Sequence, residues 1–400
     1  MRGLYFLGLR WGLFGWDGQV GDHPSLILAG LLPGSEALPP AAPAASGVMN
    51  PLWDGPLPDL RGAYIICAGG YREMDNVRWG IIGCGDVTEV KSGPAFNKIE
   101  GSELVAVMRR DADKAADYAR RHQVPKWYGD AGELIDDPQV NAVYIATPPG
   151  SHAEYVERVA AAGKPVYVEK PMARNYAECE RMIEACEKAG VPLFVAYYRR
   201  QLPAFLKVVE LLEAGAIGEV RYVSVNLLQA AGELDLKPGN WRVVPEESGA
   251  GYFFDLASHM LDFLDYALGP IGAVQGQAAN QAGRYVTEDV VCANFTFASG
   301  VMGSGIWCFT TAASAAADRT EIVGSKGKII YPTFGQESVR LETKSDVEEF
   351  VLRPPENIQQ PLIETVVADL LGKGSCPSTG VSGARTSRVM DEIVSAYYAA

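Results

Sequence analysis

The sequence predicts an α/β protein in two parts, a doubly wound parallel sheet followed by an α+β domain with a largely antiparallel, open sheet. Three observations predict it. Strand-like and helix-like segments alternate with short connections from Val77 to about residue 196, as in a parallel sheet covered on both faces. A glycine-rich turn follows the first of these strands. Beyond about residue 268, strand-like segments follow one another without helices, which is typical of antiparallel pairing.

The first part is predicted to span residues 76–196. Its strands are apolar and β-branched, and its helices show apolar residues at helical spacing. The predicted strands are VRWGII, residues 103–108, residues 140–146, PVYVEK and PLFVAY. The predicted helices are residues 87–98, DKAADYARRH, SHAEYVERVAAAG and YAECERMIEACEKAG. The last glycine of SHAEYVERVAAAG is a helix C-cap signal.

The second part is predicted to span residues 197–400. A helix around 203–213, the strand GEVRYVSVNLL and a helix from about 254 to 268 come first. The strands that follow are AVQGQAANQA, DVVCANFTF, GVMGSGIWCFT, RTEIVG and GKIIYPTF. G-S-K-G at 324–327 predicts a hairpin turn, and a terminal helix is predicted from about residue 383.

Residues 1–75 differ from the rest of the chain. They are rich in Gly, Pro and Ala and show no sustained period, so we interpret them as an extension of low order. Met74 is then the expected natural start of the protein. The first residues are a poor signal peptide, because Arg10 interrupts their apolar run and no suitable cleavage site follows.

Composition and charge restrict the classes of partner. The 400 residues are 48% hydrophobic, which is ample for a core, and the formal net charge is −14. Such a charge would repel nucleic acid and anionic membranes, so neither is expected as a partner, and no run is apolar enough to span a bilayer. The seven cysteines are scattered without a C-x-x-C, which predicts no disulfide framework, no metal site and a cytoplasmic location.

The turn after the first strand carries the pattern of a dinucleotide site. Gly83 and Gly85 match the first two glycines of G-x-G-x-x-G, and Thr88 stands at the third. Gly83 allows the tight turn, and Gly85 lets the backbone approach a pyrophosphate at the start of the next helix. Asp86 and Val87 open that helix and complete this part of the predicted cofactor-binding set.

The end of the second strand bears on the choice of cofactor. An acidic residue is expected there if the ligand is NAD, but Arg109 occupies the position and Arg110 follows. Two guanidinium groups suit a 2′-phosphate, so NADP is favoured and NAD is the alternative. A solvated basic pair before a helix, with Asp111 as the N-cap, would also explain these residues.

Charged residues end the fourth predicted strand, in PVYVEKPM. Ligands of a doubly wound sheet bind at the carboxyl ends of the strands, and this strand delivers Glu169 and Lys170 to that edge before Pro171. A surface salt bridge between the two charges is the alternative explanation. If the site forms there, Glu169 is expected to be a positioning or cofactor-side residue more than a base.

Two histidines are candidates for the chemistry. Asp255 and His259 are four residues apart in a largely apolar predicted helix and should share one face. We expect the carboxylate to orient the imidazole and to favour its cationic form, which makes His259 the acid/base candidate; a helix-surface ion pair is the alternative. His152 follows the loop after a buried strand, where it would cap a helix or touch a cofactor.

Four motifs in order resemble the Gfo/Idh/MocA oxidoreductases, which include glucose-fructose oxidoreductase and inositol dehydrogenases. They are G-C-G-D at 83–86, A-T-P-P-G-S-H at 146–152, V-E-K-P at 168–171 and D-L-A-S-H at 255–259. The resemblance covers the chain from about residue 76 onward. It implies a Rossmann domain followed by an α+β domain for substrate and oligomerisation, and it implies that the bond before Pro171 is cis.

The resemblance also implies roles for individual residues. Lys170 would reach cofactor and substrate hydroxyl, and Asp255 and His259 would complete the catalytic set. Three residues, Thr147, Pro148 and His152, would lie along the cofactor. Tyr198 and Arg199 would face the cleft, although an arginine at a domain junction is as often structural. Trp241 would stack on a sugar ring or pack in the core.

The predicted function is hydride transfer between NADP, or NAD, and a carbinol or carbonyl carbon of a sugar, cyclic polyol or similar small molecule. Two alternatives are a reductase of an apolar substrate such as a dihydrodiol, and a cofactor-sensing regulator without catalysis. A homo-oligomer, dimer or tetramer, is expected, because the second sheet would otherwise expose a broad apolar face.

Overall fold

The computed structural model describes residues 74–232, 237, 239–335 and 338–399, all within one compact unit. The predicted extension, residues 1–75, lies outside the described residues except for its last two, and the start at Met74 stays a prediction. The boundary predicted between residues 196 and 197 stays a prediction.

A parallel sheet of six strands forms the first part, in the order β3-β2-β1-β4-β5-β6. The strands are β1 Val77–Ile82, β2 Ser102–Met108, β3 Lys126–Tyr128, β4 Ala142–Ile145, β5 Val166–Val168 and β6 Leu193–Val195. The helices between them are α1 Asp86–Val90, α2 Ala112–His122, α3 Ala131–Asp136, α4 His152–Ala161 and α5 Tyr176–Ala189. The chain reverses direction of winding between β1 and β4, so their carboxyl ends leave a crevice there.

Hydrophobic residues of this sheet are buried on both faces, as the apolar runs predicted. Along β1, Trp79 and Ile81 belong to one core cluster and Ile82 belongs to the other. Gly80 faces Leu134 and leaves no room for a side chain, since an added Cβ would lie 2.7 Å from its Cδ2. The parallel sheet is thus covered by helices on each side.

An eight-stranded sheet forms the second part, in the order β14-β13-β12-β11-β7-β10-β9-β8. The strands are β7 Val220–Ala230, β8 Ile271–Ala279, β9 Val290–Phe297, β10 Met302–Thr311, β11 Ala317–Gly324, β12 Gly327–Tyr331, β13 Ser338–Thr343 and β14 Val347–Val351. Its pairs are antiparallel except for β7 and β10, which are parallel. The predicted fold class is confirmed.

The helices of the second part are α6 Pro203–Glu213, α7 Pro245–Ser248, α8 Ser258–Leu268, α9 Gln360–Leu370 and α10 Gly380–Tyr398. A π-helical turn, Phe253–Ala257, leads into α8, and short 3₁₀ turns lie at Tyr198–Gln201 and Trp241–Val243. Helix α10 packs against α5 and β8, so it ties the two sheets together.

Three sequence-based expectations differ from the structure. The helix predicted at 87–98 is α1 followed by a 3₁₀ turn at Gly93–Lys98, because Pro94 cannot continue an α-helix. The helix predicted from about 254 begins as the π turn. Strands β3, β13 and β14 and helices α3, α7 and α9 were not predicted.

No helix among the described residues is long and apolar enough to cross a membrane. Within the same residues, no group of three or more metal-ligating side chains is present.

Candidate active site

Two adjoining cavities open at the carboxyl edge of the parallel sheet. The first, here called the groove, has a volume of about 620 Å³ and the second, called the pocket, about 440 Å³. The groove is lined among others by Gly83, Gly85, Asp86, Val87, Arg109, Arg110, Thr147, Pro148 and Trp241. The pocket is lined among others by Tyr198, Arg199, His259, Thr333, Phe334 and Gln359. Lys170, Asp255 and Arg242 line both, so they lie where the two cavities meet.

The glycine turn fits a dinucleotide. Gly83 has a φ of +93°, and a Cβ there would lie 2.7 Å from Cγ2 of Thr147. A Cβ on Gly85 would find no atom nearer than 3.9 Å, so this glycine leaves open space beside the backbone at the groove wall. Thr88 is buried and its hydroxyl donates to the carbonyl of Gly85 at 2.8 Å, which lets it replace the third glycine. These residues can hold a pyrophosphate against the backbone.

The basic residues after β2 lie at the far end of the groove. Arg109 donates from Nη1 to the carbonyl of Cys84 at 3.3 Å. Neither Arg109 nor Arg110 forms an ion pair with a described residue. Asp111 caps α2 by accepting from the backbone N–H of Lys114 at 3.2 Å, which confirms the N-cap interpretation.

His152 lies behind the groove. It is fully buried; its Nδ1 is 3.1 Å from the carbonyl oxygen of Met172, and its Nε2 is 2.7 Å from that of Thr147. It joins the loop after β4 to the loop after β5, and burial lowers its pKa. In the described part of the chain it lines neither cavity, so the geometry gives it a role in positioning Thr147.

Glu169 and Lys170 point to different partners, which excludes a salt bridge between them. Glu169 is buried and accepts hydrogen bonds from the hydroxyl of Tyr144 at 2.5 Å and from Nε2 of Gln359 at 2.6 Å. Lys170 donates from Nζ to the Oδ1 of Asp255 at 2.7 Å and to its carbonyl at 2.9 Å. The bond between Lys170 and Pro171 is cis, as the resemblance implied.

Asp255 bridges two cations at the junction of the cavities. Its Oδ1 accepts from Lys170 and its Oδ2 accepts from Nε of Arg242, each at 2.7 Å. Burial alone would raise the pKa of this carboxyl, but Lys170 and Arg242 hold it at about 2. Asp255 is therefore ionised at neutral pH and fixes the position of the Lys170 ammonium group.

The predicted pairing of Asp255 with His259 is wrong. The carboxylate of Asp255 is bound to Lys170 and Arg242, and the His259 ring packs against Tyr198 and Phe334 instead. Two cations from other parts of the chain bind a carboxylate more strongly than a neutral imidazole does, and helix spacing alone does not show which cations approach.

His259 lies buried in the pocket wall. Its ring packs edge-on against Tyr198 and Phe334, with centroid distances of 5.3 and 5.7 Å. Nδ1 is buried and has no hydrogen-bond partner among the described residues. Burial, together with the charges of Arg199, Lys170 and Lys91, lowers its pKa well below 6.5. The imidazole is thus neutral at pH 7, whereas the sequence predicted a cation.

Tyr198 and Arg199 line the pocket, and Trp241 does not; its two predicted roles, stacking on a sugar ring and packing in the core, stay predictions. It lines the groove, and the guanidinium of its neighbour Arg242 lies 4.5 Å from the centroid of its ring. In the described part of the chain, the pocket's aromatic wall comes instead from Tyr198, Phe205 and Phe334.

Sequence reasoning missed Arg242, Phe334, Lys91 and Gln359 as residues of the two cavities. Arg242 stands beside Trp241 in a segment that had been singled out, so its charge was a usable signal. Gln359 reaches Glu169 from 190 positions further along the chain. No local pattern marks such a contact.

Comparisons with known proteins place the chain among oxidoreductases. A model of an oxidoreductase family with an NAD-binding Rossmann fold matches residues 77–197, and a GFO/IDH/MocA C-terminal domain matches residues 205–330. Oxidoreductase P35 of Formosa agariphila is 39% identical over 317 residues, which are 79% of this chain and 97% of that protein.

Two further proteins are similar over most of their length. The 1,5-anhydro-D-fructose reductase of Ensifer adhaerens is 29% identical over 311 residues, 76% of this chain and 92% of that protein. The crystal structure of aldose-aldose oxidoreductase from Caulobacter crescentus, complexed with glycerol, superposes with a TM-score of 0.71. It is 26% identical and covers 81% of this chain and 98% of its own.

Proposed function

The chain belongs to the Gfo/Idh/MocA family of oxidoreductases, and from that premise we propose that it transfers hydride between a nicotinamide cofactor and a carbinol or carbonyl carbon of a sugar, cyclic polyol or related small molecule. One observation carries the proposal: Lys170 lies at the junction of a groove with a dinucleotide-type glycine turn and a pocket that holds a buried, neutral histidine. The substrates named for the similar proteins, an anhydrofructose and an aldose, belong to this class.

We assign the groove to the cofactor. Gly83, Gly85, Asp86 and Val87 would hold the pyrophosphate, with Thr147, Pro148 and Glu169 along the remainder. When bound, the nicotinamide supplies the hydride donor or acceptor. The pocket is left for the substrate, and its volume lies in the range of small-molecule sites.

In the oxidation direction His259 accepts the proton of the substrate hydroxyl, because its imidazole is neutral at pH 7. Lys170 has three N–H donors and Asp255 occupies two of them. The third is available to the same substrate oxygen, where the ammonium charge stabilises negative charge as the proton leaves. Asp255 fixes the direction of that donor.

We favour NADP as the cofactor. Arg109 and Arg110 stand in the groove at the end of β2, and neither guanidinium is paired with a carboxylate of the described chain. A 2′-phosphate would supply the missing charge. Replacing Arg110 with Ser should raise the KM for NADP roughly tenfold and leave that for NAD nearly unchanged. Arg120→Ser, on the exposed face of α2, is the matched control, and an equal effect on both cofactors would refute the assignment.

The catalytic proposal is tested with His259→Asn and Lys170→Met. A panel of sugars, inositols and diols identifies the substrate by the change in cofactor absorbance at pH 7. Each variant should lower turnover roughly 1000-fold while cofactor binding, followed by fluorescence titration, is retained. Lys188→Met, on the surface of α5, controls for loss of a positive charge. In the wild type, the acid limb of the oxidation rate should lie below pH 6.5, because the pKa of His259 is lowered. Near-normal turnover in both variants would refute the assignment.

We infer a cytoplasmic homo-oligomer, dimer or tetramer. In support, the face of the second sheet that lies away from the core exposes Tyr222, Met302 and Ile306. Light scattering of the wild type and of Ile306→Glu tests the association; a wild type that is monomeric at micromolar concentration would contradict it.

A further inference from the structure

Arg199 is buried beside the reaction centre without a carboxylate partner. It is 5% exposed, and its Nε donates to the carbonyl of Thr333 at 3.1 Å. Its Nη1 is buried and finds no acceptor in the described part of the chain. The next residue, Arg200, has the counter-charge that a buried cation usually has, since it pairs with Asp262 at 2.9 and 2.5 Å. Burial of a cation without a counter-charge destabilises the folded protein, and Arg199 is such a cation in the pocket wall.

The charges around the pocket do not balance. Four cations line it, namely Lys91, Lys170, Arg199 and Arg242. Asp255 is bound to two of them, and Glu169 accepts from Tyr144 and Gln359. The pocket therefore carries a positive excess although the chain as a whole has a formal charge of −14.

The surroundings of Arg199 select the shape of a ligand. Its guanidinium carbon lies 4.6 Å from the centroid of the Phe334 ring and 5.0 Å from that of Tyr198. Its Nε is bound to the carbonyl of Thr333, so the two Nη groups are the donors that remain for a ligand. A guanidinium fork binds the paired oxygens of a carboxylate or of a phosphate. A carboxylate brings one negative charge, which balances the one guanidinium of the pocket that has no anionic partner among the described residues.

We propose that the substrate carries a carboxylate, which pairs with Arg199 while His259 and Lys170 meet the reacting hydroxyl. This rests on the proposed function and names its substrate class as a polyhydroxylated acid, such as an aldonate or a uronate. The edge-on contact between the rings of Tyr198 and His259 places the carboxylate site next to the base. A pocket of about 440 Å³ admits a six-carbon sugar acid.

The experiment compares each acid with its neutral counterpart in enzyme saturated with NADP. The pairs are D-gluconate with D-glucitol and D-glucuronate with D-glucose, and D-glucose 6-phosphate is the phosphate arm. We expect kcat/KM for the acids to exceed that for the neutral partners about 100-fold, and Arg199→Met to remove this preference. Arg221→Met, on exposed β7, should leave it unchanged. Equal use of acid and neutral partner, or a preference for the phosphate, would overturn the proposal.

Binding and melting temperature separate this inference from the proposed function. D-Gluconate should raise the melting temperature of the wild-type holoenzyme but not that of Arg199→Met, and D-glucitol should raise neither. Without ligand, Arg199→Met should melt no lower than the wild type, because a costly buried charge has been removed. If no compound is turned over, the proposed function fails while the gluconate shift still supports the anion site. If gluconate gives no shift, or if its shift survives in Arg199→Met, the anion site is overturned.

Discussion

Asp255 and Asp262 are two buried carboxylates seven positions apart around α8, and their pKa values are displaced in opposite directions. Asp255 faces the cavities and holds two cations, so its pKa falls to about 2. Asp262 faces the core, where burial raises its pKa in spite of the Arg200 pair. Both carboxylates are buried, so the opposite directions of their pKa displacements follow from the number of cations bound and from the access of water.

The two carboxylates also have different consequences for the molecule. The Arg200–Asp262 pair is buried, with each side chain 1% exposed. It also contacts Ser382 and Thr386 in α10 and the carbonyl of Pro377 just before that helix. It therefore joins α8 to α10. The pairs of Asp255 border the cavities, and Arg242 retains 42% exposure of its side chain. One region stabilises the fold, and the other holds charges in place for a ligand.

The largest expected effect is on the buried Arg200–Asp262 pair. Asp262→Ala leaves Arg200 buried and unpaired, so the free energy of unfolding should fall by about 3–5 kcal/mol. Urea denaturation at pH 7 measures it. Asp255→Ala is the matched variant and should cost less, since Lys170 and Arg242 can turn toward the cavities. The double variant Arg200→Met with Asp262→Leu should recover much of the loss. An equal loss of unfolding free energy in Asp262→Ala and in Asp255→Ala would refute the distinction between the buried pair and the pairs that border the cavities.

The next effect is on activity. Asp255→Asn keeps the shape but loses the charge that fixes the Lys170 ammonium group, so turnover should fall roughly 100-fold, about 2.7 kcal/mol in the barrier. The fall should appear in kcat more than in KM, because the substrate does not contact Asp255 in the proposed mechanism. Asp265→Asn, whose carboxylate pairs with Arg385 away from the cavities, is the control. An equal loss of kcat in that control would contradict the positioning role.

The smallest effect is on stability in acid. Asp255 has a pKa lowered from 3.8 to about 2, so its stabilisation is complete above pH 3.8 and is lost as the pH falls toward 2. The loss should amount to roughly 2 kcal/mol in the free energy of unfolding. The difference between the wild type and Asp255→Asn should therefore narrow as the pH falls from about 4 toward about 2. Asp262, with its raised pKa, titrates in both proteins and cancels in this difference, so a gap that widened in acid would refute the assignment to Asp255.

Patterns of neighbouring residues predicted those parts of the site whose geometry depends only on neighbouring residues and on chain direction. Gly83 and Gly85 follow a strand and open a helix, and the tight turn itself requires those glycines. Lys170 ends a buried strand, and parallel topology brings every such end to one edge. The roles assigned to these residues stay predictions until the variants are measured.

Local patterns failed where a contact depends on helix geometry or on distant segments. The i, i+4 rule placed Asp255 beside His259, but Lys170 and Arg242 approach from other parts of the chain and bind the carboxylate. The expected imidazolium became a neutral imidazole, because the pKa of His259 follows from burial and from cations on other elements. The contact between Glu169 and Gln359 was missed for the same reason, because it joins residues 190 positions apart.

The sequence by itself determined the order of strands and helices, the glycine turn and the delivery of Lys170 to the sheet edge. These depend on periodicity and on chain direction, which neighbouring residues encode. Only the tertiary structure decided the charge states of Asp255 and His259 and left Arg199 buried without a carboxylate partner among the described residues. Electrostatic environment depends on which groups approach from distant parts of the chain and on how much water they exclude.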